Sequence, residues 1–468
     1  MALLQNTTFK KEALIREPVD SGRDSEFNWR ELWYWGTLLV AVVADLLYIK
    51  AFAVDVIRMD EWAFIPYLQQ FNEGRLDYAH FLSWQQNEHK PFFPLMLLFT
   101  VARLTHYDVR ALQYAGLAIV SLTAVVVLLL ARKRLLAMPF GTLTMCVVAA
   151  FMLDLRQWEN LINGFSGSTV AVSMFFVLCV YFLDAVKKFD WWICLAIANA
   201  FFATYSCANG LLCWPLGIFM LLSSRALAGI EQRRAMLYPL AVWLVASGAV
   251  VSFYLSTYQG VHKDFIGNIT ALCSRGHLWD TIQTFFVALA NPLAFEPFSA
   301  VGIGAAIFLI LSYVFLAVTR GKWRINQNSI APLALLLFGL LSTAMIFIGR
   351  AVEGASALLP SRYASITCLT IVGLLIFVAS LKTSSEEKRT AVIAALVYAM
   401  FVTTIASGLF GLALGKEIHG QRLVDAQILK NYKNESDERL STLMPFPKVL
   451  RVYAKYVEEQ HYSVFRRP

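Results

Sequence analysis

Charged residues are scarce in this chain. Asp, Glu, Lys and Arg make up only 15% of its 468 residues, 58% of the residues are hydrophobic, and the mean hydropathy is +0.57. Soluble domains carry about 25% charged residues, and disordered chains are poor in large apolar residues, so the composition excludes both classes. It predicts a protein that crosses the membrane several times.

Several motifs are also missing. The seven cysteines include no CxxC pair, which argues against zinc or redox chemistry and favours a role as small core residues. No Gly-rich phosphate loop occurs, so we expect no nucleotide site. Residues 1–31 contain no apolar core, and we expect a cytoplasmic N-terminal segment without a cleavable signal peptide.

The hydrophobic segments predict an all-α polytopic membrane protein with about eleven transmembrane helices. A helix needs roughly 20 residues to cross the hydrocarbon region. Segments of this kind lie near residues 32–54, 111–131, 139–156, 167–186, 190–206, 209–224, 236–257, 299–318, 330–349, 364–381 and 390–413. Residues 91–104 are apolar but, at about 14 residues, too short to cross, and we expect them to lie flat at the interface.

Basic residues fix the orientation. With residues 91–104 left out of the count, every dense basic loop falls on the same side, which the positive-inside rule assigns to the cytoplasm. These loops are the N-terminal segment, Arg132–Arg134, Lys187–Lys188, Arg225 with Arg233–Arg234, Arg320–Arg324 and Lys382–Arg389. The net charge of +8 is thus explained by loops that orient the chain, and nucleic acid is not an expected partner.

This topology predicts three regions. Residues 1–31 form the cytoplasmic N-terminal segment, residues 32–414 form the transmembrane domain with a first extracytoplasmic loop at 55–110, and residues 415–468 form an extracytoplasmic cap. The extracytoplasmic side receives most of the polar residues whose side chains are able to bind a ligand or take part in a reaction. They include those near residue 60, near residue 90 and at His262–Asp264. Ionisable groups beside a hydrocarbon phase are expensive to keep, so such a collection predicts a functional site.

Two clusters in the first extracytoplasmic loop stand out. Asp60 and Glu61 follow the first span, where a carboxylate either deprotonates a hydroxyl group or caps an interfacial helix. Asn87, Glu88, His89 and Lys90 precede the short apolar segment. Lysine and histidine there either hold a lipid phosphate, with the glutamate orienting them, or anchor a helix start in the headgroups.

The same carboxylates and the histidine also suggest a metal site. Asp60, Glu61, Glu88 and His89 offer oxygen and nitrogen ligands, but their spacing matches no metal-binding pattern. We therefore predict no metal ligands.

Later loops add further candidates. Glu159 and Asn160 either hydrogen-bond sugar hydroxyls or satisfy their own loop. Arg350 and Arg362 flank a loop between two spans, where arginine either binds phosphate in a bidentate fork or anchors a span end by snorkelling. Asp45, inside the first span, has no assigned role.

The order of these motifs resembles the GT-C superfamily of polytopic glycosyltransferases, which use a polyprenyl- or dolichyl-phosphate sugar. The likeness is closest to the branch of lipid A aminoarabinose transferases and protein O-mannosyltransferases, through Asp60-Glu61, Lys90-Pro91 with Pro94, and the span that ends at Arg132–Arg134. The chain departs from that pattern with Asn87-Glu88-His89 before the lysine and Phe92-Phe93 after Pro91. The segments Trp158–Phe165, Asn209–Pro215 and Ser361–Tyr363 are similar to O-antigen serotype-converting glucosyltransferases, more loosely.

The resemblance implies an inverting glycosyltransferase of the bacterial inner membrane, with a periplasmic active site and no cofactor. The donor is a polyprenyl-phosphate sugar and the acceptor is a hydroxyl of an envelope glycan such as O-antigen or lipopolysaccharide. Asp60, or alternatively Glu61, is the general base. Lys90 and Arg362, supported by His89 or Arg350, bind the donor phosphate, and Asn87, Glu88, Glu159 and Asn160 contact sugar or acceptor. The alternatives are a lipid-linked glycan flippase or carrier and an O-antigen polymerase.

Overall fold

The computed structural model describes residues 29–164, 167–260, 265–274, 278–383 and 385–466. The predicted residues His262–Asp264, Phe165 and the segment 1–28 lie outside these ranges. Helices α1 to α10 are Trp29–Phe52, Ile65–Asn72, Tyr78–Ser83, Phe92–Thr105, Val109–Leu135, Gly141–Phe151, Trp158–Ile162, Gly167–Ala185, Trp191–Thr204 and Cys213–Leu227. Helices α11 to α20 are Ile230–Ala235, Leu237–Ser256, Phe265–Ser274, Leu278–Ala290, Pro297–Thr319, Ile330–Arg350, Ala364–Ser380, Glu386–Lys430, Asp437–Leu440 and Pro447–Glu459.

Short 3-10 helices and one small strand pair complete the described structure. The 3-10 helices are Met59–Phe64, Leu155–Gln157, Ala208–Leu212, Gln327–Ser329, Ala351–Glu353, Ala355–Leu358, Ser361–Tyr363 and Ser463–Phe465. Strands β1 (Trp323–Arg324) and β2 (Lys382–Thr383) pair antiparallel, with Trp323 opposite Thr383.

The chain is an all-α polytopic membrane protein, as predicted. Within the described ranges, nine helical segments are long and apolar enough to cross a membrane. The predicted count of about eleven is not confirmed, because the segments predicted at 139–156 and 190–206 form α6 and α9, with only 11 and 14 residues. The short apolar segment near residue 91 forms α4, also with 14 residues. Phe93 at the start of α4 and Arg466, which contacts the last residue of α4, form hydrogen bonds at the same end of the bundle, so both ends of α4 lie there.

Helix α17 is the centre of the bundle. Its residues from Ala364 to Ala379 are all buried, and it packs against α5, α8, α16 and α18. Small residues let α16 and α17 approach closely: a Cβ atom added at Gly339 would come within 2.4 Å of the Thr370 amide nitrogen. Close backbone approach of this kind is how membrane helices gain packing energy where water supplies none.

The connections between helices sort to two ends of the bundle. At one end, Arg134 of α5 donates to the Asn328 carbonyl at 2.6 Å and pairs with Asp184 of α8 at 3.2 Å, while Phe189 packs on Tyr238 with ring centroids 4.8 Å apart. Together with the β1–β2 pair, which adds the loop at Lys382–Arg389, these contacts bring the five basic loops that follow residue 130 to one end of the bundle. The opposite end carries the loops with the candidate site residues.

A second apolar cluster builds that opposite end. Side chains of residues 56–112 pack with those of 428–462, apart from the main bundle core. The Ser463 amide donates to the His106 carbonyl at 3.0 Å, and Arg466 pairs with Asp55 and Asp108. The first loop and the C-terminal segment thus form one folded layer. The predicted boundary at residue 414 falls inside α18, which continues to Lys430.

Candidate functional site

A cavity of about 490 Å³, here called the polar cavity, opens at the end of the bundle that carries this layer. It is bounded by the loop before α2, the turn before α4, the segment around α7, the start of α17 and the outer part of α18. Its charged lining residues are Arg58, Asp60, Glu61, Glu159, Arg350, Arg362 and Arg422, with His89 beside them. Positions far apart in sequence therefore meet in a single site.

The two adjacent carboxylates have different surroundings. Asp60 is exposed to the polar cavity, whereas Glu61 is only 5% exposed. The Glu61 carboxylate accepts a hydrogen bond from the Arg58 amide at 3.0 Å. Burial raises the pKa of Glu61 to about 7, although that hydrogen bond and the nearby Arg422 and Arg58 oppose the shift. Asp60 thus faces the polar cavity, whereas Glu61 is buried and hydrogen-bonded within its own loop.

Gly164 is needed beside Glu61. A Cβ atom at this position would lie 2.0 Å from Oε1 of Glu61 and 2.7 Å from Cγ1 of Val109. The close approach lets the segment after α7 cover the buried carboxylate. Gly164 therefore provides space next to the acidic pair.

Four arginine side chains give the polar cavity its positive character, against three carboxylates that line it. Arg350 pairs with Glu353 at 3.2 Å, and Arg362 pairs with Glu159 at 3.4 Å while lying over the Tyr363 ring. Both pairs are partly exposed, so each guanidinium keeps donors that face the cavity. Such donors can bind a phosphate or stabilise developing negative charge.

Glu159 and Asn160 hold the start of α17 in place. The Glu159 carboxylate accepts hydrogen bonds from the Ser361 hydroxyl at 3.0 Å and the Arg362 amide at 2.9 Å. The Asn160 side chain donates to the Arg362 carbonyl at 3.2 Å and accepts from Thr169 at 3.3 Å. Glu159 also lines the polar cavity, but Asn160 is buried and does not. The amide of Asn160 therefore supports the backbone that carries Arg362.

A second cavity of about 310 Å³, here called the apolar cavity, adjoins the first. Its lining is mostly aliphatic and aromatic and includes Leu255, Tyr258, Met345 and Ile346. The two cavities share five lining residues, which mark their junction: His89, Thr169, Cys207, Arg350 and Tyr363. An amphipathic ligand with a charged group and a hydrocarbon chain matches this pairing of a basic and an apolar space.

His89 lies at that junction in a fixed orientation. Its Nδ1 atom accepts a hydrogen bond from the Ala208 amide at 3.2 Å and lies 3.6 Å from the Cys207 sulfur. Burial lowers the pKa of His89, but the neighbouring Cys207 and Glu88 raise it, and the net shift is upward. Of the two residues before His89, Asn87 lines the polar cavity and Glu88 lines the apolar one.

Lys90 lines neither cavity. The side chain is fully buried, its amine donates to the Tyr254 carbonyl at 2.8 Å and to the Thr257 hydroxyl at 2.5 Å, and it lies 4.5 Å from the centre of the Tyr254 ring. Burial lowers the pKa of the Lys90 amine. The structure thus joins Lys90 to the end of α12 and does not bring it together with Arg362 in a shared anion site.

Arg58 and Arg422 line the polar cavity, and the sequence did not single them out. Arg58 pairs with Asp425 at 2.8 Å, and Arg422 donates to the Asn163 side chain at 2.5 Å. Arg58 stands two positions before Asp60, and this proximity was an available signal. Arg422 belongs to α18, more than 300 residues after the acidic pair, and no local pattern connects the two.

No cluster of three or more His, Cys, Asp or Glu side chains suitable for a metal ion occurs in the ranges that the structure describes. The four residues considered as ligands are divided: Glu61 is buried behind Asp60, and Glu88 faces the apolar cavity. The prediction that the chain binds no metal stays a prediction.

No protein-family model matches the chain, and no curated protein matches it. Solved structures are similar to it at 14% sequence identity. The crystal structure of ArnT from Cupriavidus metallidurans bound to undecaprenyl phosphate aligns over 92% of this chain and 89% of that chain with a TM-score of 0.47, and the apo form over the same shares with 0.38. The Archaeoglobus fulgidus oligosaccharyltransferase, tethered to an acceptor peptide, aligns over 81% of this chain and 55% of that chain with a TM-score of 0.39.

Proposed function

We propose that this chain is a GT-C-type glycosyltransferase that moves a sugar from a polyprenyl-phosphate donor to a hydroxyl group of an acceptor, with inversion at the anomeric carbon. The observation that carries the proposal is the junction of the two cavities. Asp60, Arg350 and Arg362 line one polar space, and Arg350 also lines the apolar space beside it. A lipid-linked sugar phosphate needs both environments at once.

The proposed donor lies across the junction. Its hydrocarbon chain enters the apolar cavity between α12 and α16, its phosphate meets Arg350 and Arg362, and its sugar occupies the polar cavity. His89 borders the phosphate at the junction, where the Ala208 amide fixes the orientation of its ring. The role first expected of Lys90 passes to these residues, since the Lys90 amine is occupied by α12.

The proposed reaction is a single displacement. The acceptor oxygen attacks the anomeric carbon, the bond from that carbon to the phosphate oxygen breaks, and the acceptor proton passes to Asp60. The electron pair of the broken bond leaves with the phosphate, whose added charge the arginines stabilise. The leaving group is already a weak base, so the step needs one carboxylate and no cofactor.

Sidedness and acceptor extend the proposal further. Basic loops gather at the end of the bundle opposite the polar cavity. The positive-inside rule places this basic end in the cytoplasm. We accordingly place the polar cavity at the periplasmic face of a bacterial inner membrane. The acceptor there is an envelope glycan, for which O-antigen or another lipopolysaccharide sugar is our first choice.

The test compares Asp60→Asn with Glu61→Gln in purified full-length protein. Both variants are assayed for binding of a radiolabelled polyprenyl-phosphate sugar and for transfer to an acceptor. Asp60→Asn keeps the size of the side chain but cannot take up a proton, so we expect transfer to fall by at least about a hundredfold while donor binding survives. Glu61→Gln should retain much more transfer.

Other outcomes assign different roles. If Glu61→Gln were inactive and Asp60→Asn were active, the roles of the two residues would be exchanged. Two variants with full transfer would show that neither residue is the base and would leave Glu159, the third carboxylate of the polar cavity, as the candidate. A wild-type protein that binds the donor and transfers no sugar would favour the carrier hypothesis over the enzyme hypothesis.

A further inference from the structure

A basic cleft of about 380 Å³ lies at the end of the bundle opposite the polar cavity. Its lining contains four cationic side chains and one carboxylate: Lys133, Arg134, Lys382, Arg389 and Glu386. Three separate parts of the chain supply them, namely the end of α5, strand β2 and the first turns of α18. Cations that different elements bring into one concave space repel each other unless an anion joins them.

The two arginines of the cleft are held by the protein. Arg134 pairs with Asp184 at 3.2 Å and donates to the Asn328 carbonyl at 2.6 Å. Arg389 pairs with Glu386 and donates to the Leu381 carbonyl at 3.0 Å. Their guanidinium groups are therefore fixed in direction before any ligand binds, which lowers the entropy cost of binding.

The two lysines are not engaged. Lys133 and Lys382 are exposed, and in the described ranges the side-chain amine of neither forms an ion pair or a hydrogen bond with another residue. Two fixed arginines and two unengaged lysines thus face one space. This combination fits a phosphate group, which takes directed hydrogen bonds from arginine and point charges from lysine.

The basic cleft is distinct from the site described above. Helix α5 begins at Val109, beside Gly164 of the polar cavity, and carries Arg134 near its other end. At 1.5 Å per residue, these positions are about 38 Å apart along the helix. That distance approximates the full thickness of a bilayer with its headgroups, so the cleft lies at the other membrane surface.

Apolar side chains next to the cleft indicate which kind of phosphate it takes. Ile325, which precedes the lining residue Asn326, is 39% exposed, and Phe140, in the turn that follows α5 at the same end of the bundle, is 69% exposed. A soluble phosphate makes no use of such surfaces, whereas the acyl chains of a bilayer lipid cover them. Basic pockets between membrane helices on the cytoplasmic side are suited to anionic headgroups.

We propose that the basic cleft binds the headgroup of an anionic phospholipid of the phosphatidylglycerol type. Its phosphate lies between the arginines, and Lys133 and Lys382 balance the remaining charge. The bound lipid would join the end of α5 to the β1–β2 pair and the start of α18. This proposal does not depend on the reaction at the polar cavity.

The experiment measures lipid binding to the purified full-length chain by native mass spectrometry. Phosphatidylglycerol and phosphatidylcholine are titrated separately, since the second carries a phosphate without net charge. The wild type should bind phosphatidylglycerol at least about tenfold more tightly, which corresponds to about 1.4 kcal/mol. Lys133→Gln combined with Lys382→Gln should abolish that preference, while Lys133→Arg combined with Lys382→Arg should keep it.

A matched control uses another basic loop at the same end. Lys187→Gln combined with Lys188→Gln removes the same charge outside the cleft and should leave the preference unchanged. Equal loss in this control would show unspecific attraction and overturn the proposal. Equal binding of both lipids by the wild type would also overturn it. Inorganic phosphate that displaces the lipid at equal concentration would identify a soluble ligand and exclude the lipid.

Discussion

At the scale of single residues, the cations near the proposed donor separate into two kinds. Arg350 and Arg362 line the polar cavity and keep exposed donors, whereas Lys90 is buried against α12. A residue that binds a substrate phosphate and a residue that joins two elements give different results when the charge is removed. Mutation therefore distinguishes the two kinds.

We expect Arg350→Gln and Arg362→Gln each to lower transfer by about a hundred- to a thousandfold, since each removes a donor to the leaving phosphate. Thermal unfolding should change little. Lys90→Gln should instead lower the unfolding temperature, because the Tyr254 carbonyl loses a buried charged partner worth roughly 1–3 kcal/mol. Transfer assays and thermal unfolding of the same preparations measure both effects.

The control for this comparison is Arg75→Gln, an arginine of the same layer whose side chain is 69% exposed. It should match the wild type in both measurements. Lys90→Gln with normal stability and no transfer would contradict the structural role and restore Lys90 to the donor site.

Glu61 gives a prediction for pH. Its pKa is about 7 in the folded chain and 4.5 ordinarily. Between these values the folded chain keeps a proton that the unfolded chain has lost, so stability falls as the pH rises through this range and is constant above it. The loss is on the order of 3 kcal/mol.

Glu61→Gln removes this group from the titration. When the pH is raised from about 5 to about 8, the unfolding temperature of the variant should fall less than that of the wild type, with both proteins in the same detergent. Parallel losses in the two proteins would mean that Glu61 is ionised throughout and that its burial costs little.

At this scale, part of the lining of the polar cavity could be predicted from the sequence. Asp60, Glu61, His89, Arg350 and Arg362 were all singled out, and all line the polar cavity. Local chemistry sufficed for them, because each stands in a short polar segment between apolar ones. Arg422 was not found, since a basic residue in a charged tail resembles any solvated one until the tail folds back.

At the scale of elements, α18 decides the shape of the polar cavity. It has 45 residues, begins at the basic cleft and delivers Ile418, Gln421 and Arg422 to the polar cavity. The hydrophobic pattern predicted a span at 390–413 but not the extension to Lys430. The run of apolar residues stops where the helix leaves the membrane, although the helix itself continues. Helix continuity beyond that point depends on packing with the first loop.

Glycines set the distance between α18 and α1. A Cβ atom at Gly415 would lie 2.7 Å from the Tyr48 hydroxyl and 2.8 Å from a ring carbon of Phe52, whereas one at Gly408 would meet nothing within 4 Å. We expect Gly415→Ala to destabilise the chain by roughly 1–3 kcal/mol through overpacking. Gly408→Ala should be neutral or stabilising by up to about 1 kcal/mol, since alanine favours the helix.

Thermal unfolding of both variants gives the comparison, and the transfer assay adds a second readout. Displacement of α18 at Gly415 should also reduce transfer, because the residues that α18 delivers follow within two turns. If Gly415→Ala were as stable as Gly408→Ala, the contact with Tyr48 and Phe52 would not determine the position of α18.

At the scale of the whole molecule, charge is distributed between two ends. Five basic loops meet at one end through contacts such as Arg134 with Asp184 and Phe189 with Tyr238. The polar cavity and the folded layer of the first loop and C-terminal segment occupy the other. Hydropathy and the positive-inside rule anticipated this division because both act on long segments. The number of spans was less predictable, since α6 and α9 are shorter than their apolar patterns.

The division predicts which residues a membrane-impermeant thiol reagent reaches in intact cells. Ser83 lies in the first loop and Lys133 lies in the basic cleft, and both are at least partly exposed. With the exposed Cys194 and Cys273 replaced by alanine, Ser83→Cys should be labelled from outside. Lys133→Cys should be labelled only after the membrane is opened, because the positive-inside rule places its loop in the cytoplasm. The reverse pattern would show that the membrane orientation is inverted and that the polar cavity faces the cytoplasm. A periplasmic acceptor could not reach Asp60 there.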